Sequence, residues 1–148
     1  MVTNPIEIQD FVPSDEGQVL EVVACVLREH GFEYDPQMDS DLKDIPKEYI
    51  RFLVVKDQRR VVGCSGVKRV SGDVAELKRM YLLMDYRSKG LGVKLLESSI
   101  KFCSANQFKT ILLDTTLRNK QAMGLFVKHG FREIRRNGEK VFFEKHLE

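Results

Sequence analysis

The run Arg87-Ser88-Lys89-Gly90-Leu91-Gly92 stands between a strand-like segment and a helix-like one. Two glycines one residue apart let the backbone approach a ligand, because no Cβ stands in the way. A helix opening at that point aims unpaired N–H groups and a partial positive charge at the same space. Arg87 and Lys89 add two full charges. The run reads as a phosphate cradle. It is not a Walker A loop, which needs GxxxxGK[ST]. Nor is it a dinucleotide fingerprint: Leu95 occupies the place of the third glycine, and the run follows three strands instead of opening the first βα unit.

Working outward, the segments before the run are strands. Arg51 to Lys56 carries Phe52-Leu53-Val54-Val55, Arg60 to Arg69 is rich in Val, Ser71-Gly72-Asp73 forms a hairpin-type turn, and Val74 to Leu83 is the third strand-like run. In the third strand, simple alternation puts Glu76, Lys78 and Met80 on one face and Leu77, Arg79 and Tyr81 on the other. Charge on both faces suggests that one of them looks into a site. After the run, Leu91, Leu95, Leu96, Ile100 and Cys103 form a helical stripe. Thr110 to Thr115 is a short apolar run, the mark of a buried strand. Ala122, Leu125, Phe126 and His129 again recur at helical spacing, with Gly130 as the stop, and a hairpin around Asn137-Gly138 ends the chain.

Towards the N-terminus, Ile6 to Phe11 reads as a strand and Val19 to Leu27 as a helix stopped by Gly31. Residues 33–48 form an acidic, turn-rich connection with one short helix around 40–45. The predicted order is β-α-(short α)-β-β-β-α-β-α-β-β, a mixed α/β sheet. Without repeats or linkers, 148 residues are read as a single domain.

Composition is that of a globular protein, 43% hydrophobic and 31% charged. A net charge of +2, from 24 basic and 22 acidic residues, gives no field that would attract nucleic acid or an anionic membrane. Cys25, Cys64 and Cys103 are widely spaced in apolar surroundings, so they are expected to be buried thiols, with neither a disulfide framework nor a metal site. Met1 to Pro5 lacks leader features, and no apolar run is long enough to span a bilayer. Cytoplasmic location is the expectation.

Arg87-x-x-Gly90-x-Gly92, after a strand and opening a helix, resembles the acetyl-CoA-binding motif of the GCN5-related N-acetyltransferase (GNAT) family. Ala75-Glu76-Leu77-Lys78-Arg79-Met80-Tyr81-Leu82 looks like that family's fourth strand and Leu112-Leu113-Asp114-Thr115 like its fifth. Asn119-x-x-Ala122-x-x-Leu125-Phe126-x-x-x-Gly130-Phe131 looks like the helix and exit turn that follow. The likeness covers residues 74–131 in order. It implies a mixed sheet of about six to seven strands flanked by about four helices, with parallel strands 4 and 5 splayed apart. Residues 1–70 would form the acceptor-side half and 71–148 the acetyl-CoA side.

The resemblance further implies acetyl-CoA as cofactor, with CoA as product. Its pyrophosphate would lie on Ser88, Lys89, Gly90, Leu91 and Gly92, assisted by the Arg87 and Lys89 charges. The pantetheine arm would pair with the backbone of Met80, Tyr81 and Leu82 and hydrogen-bond Asn119. Glu76, eleven residues before Arg87, resembles the glutamate base of the histone-modifying branch. Many members carry a tyrosine acid near the CoA sulfur; here Phe126 stands in its place, and Tyr81 is a substitute candidate. Asp35, Asp39, Asp41, Asp44 and Glu48 suit a cationic amine, whereas Arg28, Lys78 and Arg79 suit an amino acid carboxylate. His129 and His30 read as helix-end histidines. Arg132, Arg135, Arg136 and Lys140 read as a solvated hairpin face, with a 3′-phosphate site as the alternative. The expected activity is transfer of acetyl to a small-molecule amine by a monomer or homodimer. The alternatives are a non-catalytic acyl-CoA-binding or regulatory module and a protein lysine or N-terminal acetyltransferase.

Overall fold

The computed structural model describes residues 6–148. Met1 to Pro5, read above for leader features, lies outside the described residues. The strands are β1 (Ile6–Asp10), β2 (Arg51–Asp57), β3 (Arg60–Ser71), β4 (Val74–Leu82), β5 (Thr110–Thr116), β6 (Arg132–Asn137) and β7 (Lys140–His146). The helices are α1 (Glu16–Glu29), α2 (Ile45–Glu48), α3 (Leu91–Ala105) and α4 (Lys120–Lys128). The expected short helix around 40–45 is a 3₁₀ turn, Ser40–Lys43, followed by α2 with Asp44 capping its first turn.

The strands form one sheet in the order β1-β2-β3-β4-β5-β7-β6. Every neighbouring pair is antiparallel except β4 and β5, which run parallel. Phe52-Leu53-Val54-Val55 of β2 shows why the central strands are apolar without a break. Phe52 and Val54 pack with Val19, Val22 and Val23 of α1 on one face. Leu53 and Val55 pack with Leu91 and Leu95 of α3 on the other. Each fully buried aliphatic side chain contributes about 1.5–3 kcal/mol, so a strand buried on both faces excludes polar residues from either register.

One irregularity in β4 changes which side chains reach which face. Cys64 lies opposite Tyr81 and Gly66 opposite Lys78, so Ser65 alone faces both Arg79 and Met80. Arg79 is the bulged residue, with φ at 58°. An extra residue reverses the alternation beyond it. Ala75 and Leu77 pack towards α3 and α4, and so do Met80 and Leu82 after the bulge. Glu76, Lys78, Arg79 and Tyr81 therefore share the α1/α2 face, with Tyr81 packed against that cluster. This corrects the simple alternation expected from the sequence, which set Met80 beside Glu76 and Arg79 opposite it.

The cysteines also differ from expectation. Cys64 and Cys103 are buried, and burial pushes their thiols up to about 12 and about 11. Cys25 lies on the outer side of α1 and is exposed, since its neighbours Val22, Val23 and Val26 take the inner stripe. Titration of the native protein with a thiol reagent at pH 8 is expected to modify one cysteine rapidly, and all three only after unfolding. More than one fast equivalent would contradict this burial pattern.

Candidate active site

The site begins where two strands part. β4 and β5 are paired only over Val74–Glu76 and Thr110–Leu112. β5 stays paired with β7 through Thr116, and β4 stays paired with β3 through Leu82. The facing edges from Leu77 to Leu82 and from Leu113 to Thr116 thus open into a wedge with unpaired strand groups along it. Met80, Tyr81 and Leu82 lie along this open edge. A peptide-like ligand entering there would recover the missing hydrogen bonds.

The glycine loop stands at the wide end. Ser88 and Gly90 are left-handed, with φ at 63° and 81°, which curls the loop's amides inward. The first bond of α3 runs from the Lys94 N–H to the Gly90 carbonyl, so the amides of Leu91, Gly92 and Val93 open the helix without an intrahelical acceptor. No protein atom lies within 4 Å of a Cβ built on Gly90, and one on Gly92 would meet only Leu125 and Leu82 at 3.7 Å. The protein therefore leaves free the space that a phosphate needs. Lys89 is exposed, its Nζ 5.8 Å from the centre of the Tyr86 ring.

Arg87 is occupied differently from the expectation of a phosphate contact. Its Nε and Nη2 donate to the Leu82 carbonyl at 3.0 and 2.7 Å, and its Nη1 and Nη2 form a fork with Glu29 at 2.8 and 3.0 Å. The guanidinium braces the end of β4 and ties it to the end of α1. A second arginine does the same for the other lip. Arg118, just after β5, donates from Nη1 to the His30 carbonyl at 2.6 Å and pairs with Glu139 at 2.9 Å. Gly31, with φ at 82°, permits this approach; a Cβ there would meet Arg118 Nη1 at 2.5 Å. The end of α1 thus spans both lips of the wedge.

On the α1/α2 face the bulged Arg79 anchors the acidic connection. Its Nη2 lies 2.8 Å from Asp39 and 2.7 Å from Asp41, and its Nε donates to Asp41 at 3.0 Å. The Tyr49 hydroxyl donates a short hydrogen bond to Asp41. Burial pulls the Asp41 carboxyl up, but the hydrogen bonds from Arg79 and Tyr49 outweigh it and hold the group below its ordinary value. Asp35 accepts from the Gln37 amide, Asp44 caps α2, and Glu48 pairs with Lys68 at 3.3 Å. Asp39 and Asp41 are thus engaged within the fold, whereas Asp35, Asp44 and Glu48 each make a single side-chain contact at the surface. Arg79 is likewise spoken for and is not a free carboxylate receptor.

Glu76 is half-buried and makes no ion pair or side-chain hydrogen bond among the described residues. Tyr81 sits in the same face, its hydroxyl pushed upwards by burial against the opposing influence of Arg79. The Asn119 side chain caps α4 by accepting from the Ala122 amide at 3.1 Å, and its amide nitrogen makes no hydrogen bond among the described residues. Phe126 is a core residue, 5% exposed, with its ring against Phe131 and Phe143. His129 pins α4, its Nδ1 2.9 Å from the Leu125 carbonyl and its Nε2 3.7 Å from Glu97 of α3. In the hairpin Arg132 pairs with Glu144, Arg136 with Glu133, and Arg135 lies 3.8 Å over the Phe142 ring. A separate groove of about 330 Å³ between β1 and α3 lies towards the far edge of the sheet, away from the wedge. Sequence reasoning missed Glu29 and Arg118, because nothing local to α1 or the β5–α4 turn announces contacts made across the fold.

The geometry agrees with what is known of other chains. The sequence profile described as the acetyltransferase (GNAT) family matches residues 19–131. The uncharacterized N-acetyltransferase YjgM of Escherichia coli K12 is 30% identical over 130 residues, covering 81% of this chain and 78% of that protein. IAA acetyltransferase of Azospirillum brasilense is 33% identical over 92 residues, 62% of this chain and 60% of that enzyme. The human N-acetyltransferase 8B is matched over 48% of its length, so this chain spans about half of some curated relatives. Among solved structures, a GNAT-family acetyltransferase of Staphylococcus aureus Mu50 superposes with a TM-score of 0.90 at 23% identity, over 97% of this chain and 100% of that one. The PaiA N-acetyltransferase of Thermoplasma acidophilum, in complex with coenzyme A, superposes at 0.79 with 21% identity, over 97% and 100%. With the profile covering most of its length and β4 and β5 running parallel in a seven-stranded sheet, this chain belongs to the GNAT family of acetyltransferases, whose acyl donor is acetyl-CoA.

Proposed function

We propose that this protein transfers the acetyl group of acetyl-CoA to a primary amine of a small molecule by direct attack, without a covalent enzyme intermediate. The observation that carries the reading is the wedge between β4 and β5, bounded by the amide loop at one side and opening beside Glu76 on the α1/α2 face. The two halves, about 1–70 and 71–148, would work as one unit around it. Acetyl-CoA supplies an activated acyl carbon and a thiolate leaving group. The chain supplies the rest. Gly90 to Val93 offer amides and the positive end of α3 to the pyrophosphate. The open edge of Met80 to Leu82 and the Asn119 amide orient the pantetheine arm. Glu76 takes a proton from the attacking amine.

Phe126 favours a second reading, a module that binds acyl-CoA without efficient turnover, because the ring at that position is packed in the core and carries no hydroxyl. A protein amine remains the alternative acceptor. No described helix is long and apolar enough to cross a membrane, and we place the protein in the cytoplasm as a monomer or homodimer.

Binding of CoA at about one hundred times its Kd is expected to add ~2.7 kcal/mol. For a chain of this size that raises Tm by about 5–10 °C. Gly90→Asp sets a carboxylate into the cradle and should remove the shift. No shift with millimolar CoA would overturn the cofactor site; a shift without turnover on any amine would favour the binding module.

A further inference from the structure

The acceptor end of the wedge holds two carboxylates. Glu76 is paired in register with Leu112, so Asp114 lies two residues further along β5, on the lip that diverges. Ile111 and Leu113 are buried against α3 and α4, which puts Leu112 and Asp114 on the opposite face, the one Glu76 occupies. Across β5 the same face continues to Phe142 and Glu144 of β7.

Most other carboxylates on that face are paired. Lys68 pairs with Glu48, and Arg132 with Glu144. Asp39 and Asp41 share Arg79, and Lys78, on the same face, makes no ion pair among the described residues. Glu76 and Asp114 remain. Both are half-buried, and neither makes an ion pair or a side-chain hydrogen bond among the described residues. Two half-buried carboxylates flank the point where the strands separate; Lys68 lies opposite Glu76 on β3 and Lys78 two residues along β4, and neither forms an ion pair with Glu76 or Asp114.

We propose that Asp114 is a second acceptor-binding and catalytic carboxylate, which with Glu76 receives a cationic primary amine lacking a carboxylate next to its nitrogen. This rests on the acetyltransferase reading above and names its substrate class. The ammonium is held between the two carboxylates, and one of them takes the proton that frees the nitrogen lone pair. The nitrogen then bonds to the acyl carbon as the C–S bond breaks. The sulfur leaves with that electron pair and takes the second nitrogen proton through water. The carboxylate returns its own proton to solvent, so each turnover releases one proton. An α-carboxylate on the acceptor would meet two like charges.

The test uses the full chain with saturating acetyl-CoA and matched acceptors: phenethylamine against phenylalanine, ethylamine against glycine, and cadaverine and spermidine. CoA release is the readout. Amines without the carboxylate should be turned over with kcat/KM at least tenfold higher than their partners. With the fastest of them, Asp114→Asn should raise the acceptor KM about tenfold or more while the CoA-induced Tm shift is kept, and Asp114→Glu should recover most of the loss. The double variant with Glu76→Gln should fall short of the product of the single effects, as expected for groups sharing one proton and one ammonium. Equal or better use of the carboxylate-bearing partners overturns the proposal. So does an acceptor KM within twofold in Asp114→Asn, or turnover of none of these amines. Loss of the CoA shift in the wild-type chain would instead overturn the cofactor site, which keeps the two failures distinguishable.

Discussion

Replacing Arg79 by alanine is expected to lower the unfolding free energy by about 3–5 kcal/mol, the usual cost of removing one partner from a buried ion pair. Its side chain is 9% exposed, and those of Asp39 and Asp41 are 12% and 10% exposed. Without the guanidinium the two carboxylates face each other in a poorly solvated space, and the loop from 35 to 44 loses its anchor on β4. For a protein of this size the corresponding fall in Tm is roughly 6–20 °C. Arg79→Gly should lose about 1 kcal/mol less than Arg79→Ala, because φ is 58° at this residue and glycine accepts that region without strain. The acid side supplies a further check. Asp41 is held below its ordinary value when folded, so its contribution is present above about pH 4 and is lost as pH falls through the lower folded value. In Arg79→Ala the same carboxylates gain by protonation. The gap in Tm between wild type and variant should therefore shrink between pH 7 and pH 3.5. A gap that stays constant would mean that lost packing, and not the ion pairs, carries the effect.

Glu76→Gln is expected to lower kcat by about 10²–10⁴-fold, the range over which general acid–base assistance operates. It should also move the pH optimum upwards, since free amine must then come from solution. Glutamine keeps the length and shape of the side chain, and Glu76 makes no ion pair that its loss would break, so the fold and the CoA-induced Tm shift should be retained. The decisive measurement is kcat against pH at saturating acetyl-CoA. An unchanged profile would remove Glu76 from the proton path and leave water or Asp114 as the base.

Much of this was legible along the chain. The order of elements, the loop from Arg87 to Gly92 and the parallel pairing of the fourth and fifth strands follow from periodicity, two glycines and a family resemblance covering residues 74–131. These are local signals, carried by side-chain spacing and by backbone positions that need glycine. The amine-facing end was less so. Alternation assigned Arg79 and Met80 to the wrong faces, because a bulge adds a residue opposite Ser65 with no glycine to announce it. Asp39 and Asp41 looked free for a substrate until the fold brought Arg79, about 40 residues away in the chain, into contact with both. Arg87 looked only like a phosphate contact, and its guanidinium also braces Leu82 and Glu29, the latter 58 residues away in the chain.

By itself the sequence determined the sheet, the two-sided core and the glycine loop that opens α3, since period, propensity and a left-handed glycine at the start of a helix act over a few residues. Only the tertiary structure decided which charges cancel and which remain. Coulombic pairing depends on distances between segments remote in the chain, and those distances exist only after the strands have paired, bulged and parted.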